Sequence, residues 1–140
     1  YFFKYSRHAE NWAALEAKKP HNHGTKPVVL EVSLECDDSQ ILDLNNPDDY
    51  DELNDFIEDY FATVGAERYV DYKNMDEHKK WCFSCNLYRK ANPEIAITMY
   101  TFPRKTTDIF SVYHPNQTQI CVSQNKQNTI KTIKEWKAEV

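Results

Sequence analysis

One stretch of the chain decides the fold: residues 1–13, which read YFFKYSRHAENWA. Its aromatic start, Tyr1–Tyr5, has the composition of a β-strand. Ser6 is a suitable N-cap residue, so a helix is predicted to begin there and to run to Lys18. On that helix a set of small and aromatic residues shares one face: Ala9, Trp12 and Ala13. The stretch therefore predicts a strand that leads directly into a helix.

The composition is that of one globular domain over residues 1–140, since 41% of the residues are apolar and 14% are aromatic. The chain has only two glycines, which excludes the glycine-rich loops of P-loop and Rossmann nucleotide sites. No apolar run approaches the roughly 18 residues that a membrane span needs, so no membrane partner is expected. The chain starts without Met inside an apolar strand, and we expect it to lack an N-terminal portion.

The net charge of −5 disfavours general electrostatic binding to nucleic acid, but the charge is unevenly distributed. Residues 48–59 contain no Lys or Arg and carry a run of carboxylates: Asp48, Asp49, Asp51, Glu52, Asp55, Glu58 and Asp59. The tail over residues 126–137 is mainly basic. Each segment is either a solvated face or a docking surface, the acidic one for a basic protein partner and the basic one for a phosphate-bearing substrate.

The four cysteines are Cys36, Cys82, Cys85 and Cys121. Cys82 and Cys85 have CxxC spacing and follow His78 by about one helical turn, yet a zinc site needs a second closely spaced pair. The same segment predicts a helix whose inner face contains both cysteines, which suits small core residues. We therefore expect no metal, and reduced thiols without a signal peptide favour a cytoplasmic location.

The rest of the chain predicts alternating strands and helices. A helix is expected from the Asn46 cap and Pro47 to Gly65, because acidic residues fill its first turn. Further elements are predicted as strands Lys26–Cys36, Gln40–Leu44, Glu94–Phe102, Ile109–Tyr113 and Thr118–Val122, and a helix Met75–Lys90. Residues 130–137 are compatible with a last strand or a terminal helix. The fold class is α+β, with a split, mostly antiparallel sheet and inserted helices.

Two pieces of the sequence resemble the ADP-ribosyltransferase-like fold. In the first, the family pattern has Tyr-Phe, then an Ala, and then Asn followed by an aromatic and a small residue. The residues at these positions here are Tyr1, Phe2, Ala9, Asn11, Trp12 and Ala13. The second is NQTQICV, residues 116–122, where the family keeps a strand that begins with its catalytic Glu or Gln. The resemblance covers residues 1–34 and 108–134, and the family's first motif, a His or Arg on an early strand, would lie before Tyr1.

The resemblance implies that NAD is the substrate and that Tyr1, Phe2, Ser6 and Trp12 bind it. Tyr1 would contact the nicotinamide ribose, and Trp12 would cover one face of the nicotinamide ring. Cleavage of the glycosidic bond creates a cation-like ribose, so a polar group must lie beside it. Gln119 would be the catalytic residue, through a hydrogen bond to that ribose or by orienting the acceptor. Gln117, on the same face of the strand, is the second candidate.

The implied activity is transfer of ADP-ribose to a macromolecular acceptor, protein or nucleic acid, by a toxin or defence effector. Gln119 departs from the family's commoner Glu, and a neutral amide neither stabilises a cation as strongly nor acts as a base. An alternative function is therefore a catalytically weak or inactive module of the same fold that binds NAD or docks a partner. A third alternative is an unrelated α+β protein with an accidental resemblance.

Overall fold

The computed structural model describes residues 2–102 and 117–136. Its α-helices are α1 (Ser6–Ala17), α2 (Pro47–Val64), α3 (Ala66–Lys73) and α4 (Glu77–Ala91). Its strands are β1 (Phe2–Phe3), β2 (Leu30–Leu34), β3 (Ile41–Asp43), β4 (Ile97–Phe102), β5 (Gln117–Val122) and β6 (Ile130–Glu135). Tyr1 and the predicted strand Ile109–Tyr113 lie outside the described residues. None of the described helices is long and apolar enough to cross a membrane.

The strands form two sheets. The larger sheet has the order β1-β5-β4-β3, in which β3 and β4 are parallel and the other neighbours are antiparallel. The smaller sheet is the antiparallel pair β2 and β6. This arrangement confirms the predicted α+β class with a mostly antiparallel sheet. The alternative left open for residues 130–137 is decided in favour of a strand, because Ile130–Glu135 pairs with β2.

Helix α2 forms where the sequence predicts it. The Asn46 side chain accepts a hydrogen bond from the Asp48 backbone N–H at 3.1 Å, and Pro47 occupies the first helical turn. Gly65 ends the helix with a φ of +94°, a conformation that glycine adopts with little strain. These local signals and the apolar stripe of α2 lead to the same boundaries, and the prediction is confirmed.

The buried core lies between α2, α4 and the larger sheet. Its apolar members are Leu42, Leu44, Leu53, Ile57, Phe61, Cys85, Tyr88 and Ile95. Helices α2 and α4 are also linked by a hydrogen bond of 2.5 Å, which the Tyr88 hydroxyl donates to the Glu52 carboxylate. Burial of Tyr88 and the neighbouring Glu52 charge raise the pKa of this phenol above its usual value. The core fixes the position of α4 over strands β4 and β5.

Several local predictions differ from the structure. Strand β2 covers only Leu30–Leu34 of the predicted strand Lys26–Cys36. Tyr5, not Ser6, is the N-cap residue of α1, since the Tyr5 carbonyl accepts hydrogen bonds from the His8 and Ala9 backbone. Strand β1 is shorter than predicted because the chain turns into this helix soon after Phe3. Helix α3 was not predicted, as it is polar and lacks a long apolar stripe; Tyr69 and Tyr72 attach it to the core.

Candidate functional site

The register of the larger sheet brings Gln119 between two aromatic residues. Gln119 pairs with Phe3 on one neighbouring strand and with Tyr100 on the other. Residues that are directly paired across strands project from the same face of a sheet, so these three side chains form one row. The row has no signal in the sequence, because strand register links residues that are far apart in the chain.

Each aromatic residue of the row is covered by a tryptophan. Trp12 of α1 packs on Phe3 with ring centroids 6.1 Å apart, and Trp81 of α4 packs on Tyr100 at 4.2 Å. Such offset and tilted contacts are the favourable geometries for aromatic pairs. Gln119 therefore lies between two aromatic pairs, one contributed by the β1–α1 corner and one by α4 and β4.

A cavity of about 660 Å³, which we call the α4 cavity, opens above this row. Its volume is in the range typical of small-molecule sites. Helix α4 lines it with residues spaced by four, three and four positions, which places them on one helical face: His78, Cys82, Cys85 and Arg89. The lining also includes both aromatic pairs and Cys121 of β5.

The polar groups of the α4 cavity are cationic or neutral. His78 Nε2 lies 3.7 Å from Cys82 Sγ, and Arg89 Nη1 lies 3.7 Å from Cys121 Sγ. Burial raises the pKa of the Cys85 thiol to about 12, so this thiol stays neutral at physiological pH. Among the described residues that line the cavity there is no Asp or Glu. The site is thus suited to a flat and anionic ligand.

A second cavity of about 610 Å³, the α1 cavity, lies between the β1–α1 corner and the smaller sheet. It is lined by Phe2, Ser6 and Trp12 together with apolar residues of β2 and β6. Phe2 and Phe3 are adjacent in a strand and therefore project to opposite faces. Phe2 pairs with Ile120, whereas Phe3 shares the face of Gln119.

The structure therefore divides the predicted site residues between two cavities. Trp12 and Gln119 meet in the α4 cavity, Phe2 and Ser6 line the α1 cavity, and Trp12 borders both. The prediction for Tyr1 lies outside the described residues. Gln117 projects from the same face as Gln119, where it pairs with Phe102, but it does not line the α4 cavity.

The acidic segment 48–59 lies on α2, and part of it has a structural role. Asp49 accepts a hydrogen bond from the Asp43 backbone N–H at 2.7 Å, and Glu52 accepts the Tyr88 hydroxyl. The other carboxylates of the segment are exposed: Asp48, Asp51, Asp55, Glu58 and Asp59. A docking role for this face stays a prediction.

Within residues 2–102 and 117–136 no group of His, Cys, Asp or Glu side chains is arranged to hold a metal ion. The cysteines at 36, 82, 85 and 121 are free thiols. No family model, curated protein or solved structure matches this chain.

Proposed function

We propose that this protein binds NAD in the α4 cavity and transfers ADP-ribose to a macromolecular acceptor. The observation that carries the proposal is the position of Gln119 between the Phe3–Trp12 and Tyr100–Trp81 pairs. A flat nicotinamide ring is suited to the gap between aromatic walls. The Gln119 amide can hydrogen-bond the ribose hydroxyls, where positive charge develops in the transition state.

Phe2 and Ser6 are connected to the α4 cavity only through Trp12. They line the α1 cavity on the far side of Trp12, which is half exposed and borders both cavities. A dinucleotide held against Trp12 would reach them only by extending around this indole. We therefore place the nicotinamide end at Gln119 and give Phe2 and Ser6 a secondary role in NAD binding.

The alternative function is a module that binds NAD without turnover. It is favoured by the absence of a carboxylate among the described lining residues, because an oxocarbenium-like ribose is best stabilised by a negative charge. In this case the exposed carboxylates of α2 would dock a basic protein partner, and NAD would act as the signal. Both functions require NAD binding, but only the transferase releases nicotinamide.

The test combines NAD binding, measured by thermal unfolding with millimolar NAD, with an assay of released nicotinamide. Wild-type protein should be stabilised by NAD through mass action and should release nicotinamide. Gln119→Ala should still bind NAD and should lower the release by about 100-fold or more. Gln117→Ala is the matched control, since it removes the same side chain from the same face outside the cavity.

Stabilisation without nicotinamide release would support the binding module. Gln119→Glu then asks whether a carboxylate alone creates turnover. Equal release from the Gln119→Ala and wild-type proteins would remove Gln119 from the mechanism. If millimolar NAD produces no stabilisation of the wild-type protein, the proposed function is wrong.

A further inference from the structure

Arg89 brings a permanent positive charge into the α4 cavity from the last turn of α4. Its Nη1 is directed at the Cys121 sulfur, which is a weak acceptor. Its Nε is buried and has no hydrogen-bond partner within the described part of the chain. None of the ion pairs among those residues involves Arg89. The guanidinium thus has more donors than the protein satisfies.

An oxyanion in the cavity is the chemical group that would pair with the terminal nitrogens of this guanidinium, whereas the buried Nε is out of its reach. Phosphate oxygens accept charge-assisted hydrogen bonds from guanidinium nitrogens, often two at a time. No carboxylate from the described lining residues competes for the same position, and His78 adds a second basic group to the cavity. A structural role for Arg89, in which its charge stabilises the helix C-terminus, needs no ligand and is the alternative that must be tested.

The position of Arg89 relative to Gln119 limits the ligand further. Cys121, the residue beneath the guanidinium, follows Gln119 by two positions and projects from the same face of β5. Two residues of a strand span about 7 Å. A ring above Gln119 and a phosphate at Arg89 would therefore be separated by about the length of a pentose.

We propose that Arg89 is the phosphate-binding residue of the α4 cavity and that the ligand is a nucleotide. Its heterocycle lies between the two aromatic pairs and its phosphate at the guanidinium. This inference rests on the proposed binding of NAD and assigns the pyrophosphate of NAD to a residue that the sequence resemblance does not include.

The test measures binding of three probes by calorimetry: NAD, inorganic pyrophosphate and nicotinamide. Arg89→Gln should weaken NAD and pyrophosphate binding by about 10- to 100-fold and leave nicotinamide binding unchanged. Arg68→Gln, on the exposed surface of α3, removes an equal charge and should change none of the three. If Arg89→Gln fails to fold, Arg89→Met retains an unbranched apolar side chain and replaces it in the test.

The outcomes separate this inference from the proposed function. Undiminished NAD binding by folded Arg89→Gln would overturn the role of Arg89 and leave the proposed function intact. Equal weakening of all three probes would show a structural role and would also overturn it. Pyrophosphate binding that depends on Arg89, without NAD binding by the wild-type protein, would support the anion site and reject NAD. Absence of binding by both NAD and pyrophosphate would reject both proposals.

Discussion

The α2–α4 half of the molecule has a packed core, whereas the half built from α1, β2 and β6 leaves several of its apolar residues exposed. Among the residues that the structure describes, the buried apolar ones all lie between Leu42 and Ile97. In the other half Leu30 is 57% exposed and Ile133 is 61% exposed, and both line the α1 cavity. Burial of apolar area is the main favourable contribution to folding. The stability of the protein therefore resides mostly in one half, and the other half keeps apolar surface available for contacts.

The largest expected difference between the halves is in core substitutions. Ile57→Ala should lower the free energy of unfolding by about 2–5 kcal/mol, since it removes buried atoms and leaves a cavity. Ile133→Ala removes the same atoms from an exposed position and should change the free energy of unfolding by about 0.5 kcal/mol or less. Urea unfolding of both variants measures the difference. Similar losses from the two substitutions would show that β6 is as tightly packed as α2.

The second difference concerns alkaline pH and sharpens the contrast between a buried and an exposed tyrosine. The pKa of Tyr88 is raised in the folded state, whereas the phenol in the unfolded chain ionises near pH 10.0. The contribution of Tyr88 to the free energy of unfolding is therefore fully present below that pH. That contribution is lost as the pH rises from there through the folded pKa, by about 1.4 kcal/mol for each pH unit. Unfolding midpoints should therefore fall steeply above pH 10 and less steeply in Tyr88→Phe.

Two variants control this measurement. Glu52→Gln keeps a hydrogen-bond acceptor for Tyr88 and removes the neighbouring charge, so its alkaline slope should lie between those of wild type and Tyr88→Phe. Tyr5→Phe changes a tyrosine that is 55% exposed and should retain the wild-type slope. Parallel curves for all four proteins would show that the Tyr88–Glu52 contact does not control the alkaline transition.

The smallest expected difference is between the starts of two helices. Asn46→Ala should destabilise the protein by about 1 kcal/mol, because the Asp48 backbone N–H loses its acceptor. Ser6→Ala should change the free energy of unfolding by no more than a few tenths of a kcal/mol, since Ser6 does not cap α1. Thermal unfolding of the two variants tests this. A loss at Ser6 that matches the loss at Asn46 would contradict the cap assigned to Tyr5.

Elements with complete local signals were predictable from the sequence. Helix α2 has a cap, a proline and a terminal glycine, and each acts within a few residues of its position. Helix α3 has no such signals, and it is attached by contacts of Tyr69 and Tyr72 with Phe61. Those contacts depend on where the preceding helix ends, so no local pattern in residues 66–73 could indicate them.

The candidate site was only partly predictable for the same reason. The sequence indicated Trp12 and Gln119, and the structure brings both to the α4 cavity. The sequence indicated neither Tyr100 nor Arg89, because their relation to Gln119 follows from strand register and from the packing of α4 on the sheet. Phe2 was expected to bind NAD with Trp12, yet alternation along β1 directs it away from the face of Gln119.

The two glycines place a limit on variation in this protein. Gly24 and Gly65 have φ values of +84° and +94°, and no other described residue has a positive φ. A methyl group added at either position would meet no atom of a residue other than the adjacent ones within 4 Å, so there is room for it at both. In a library of single substitutions, both sites have room for a larger side chain. Variants at these sites should nevertheless be rare among the folded proteins, since the backbone conformation itself is strained for L residues.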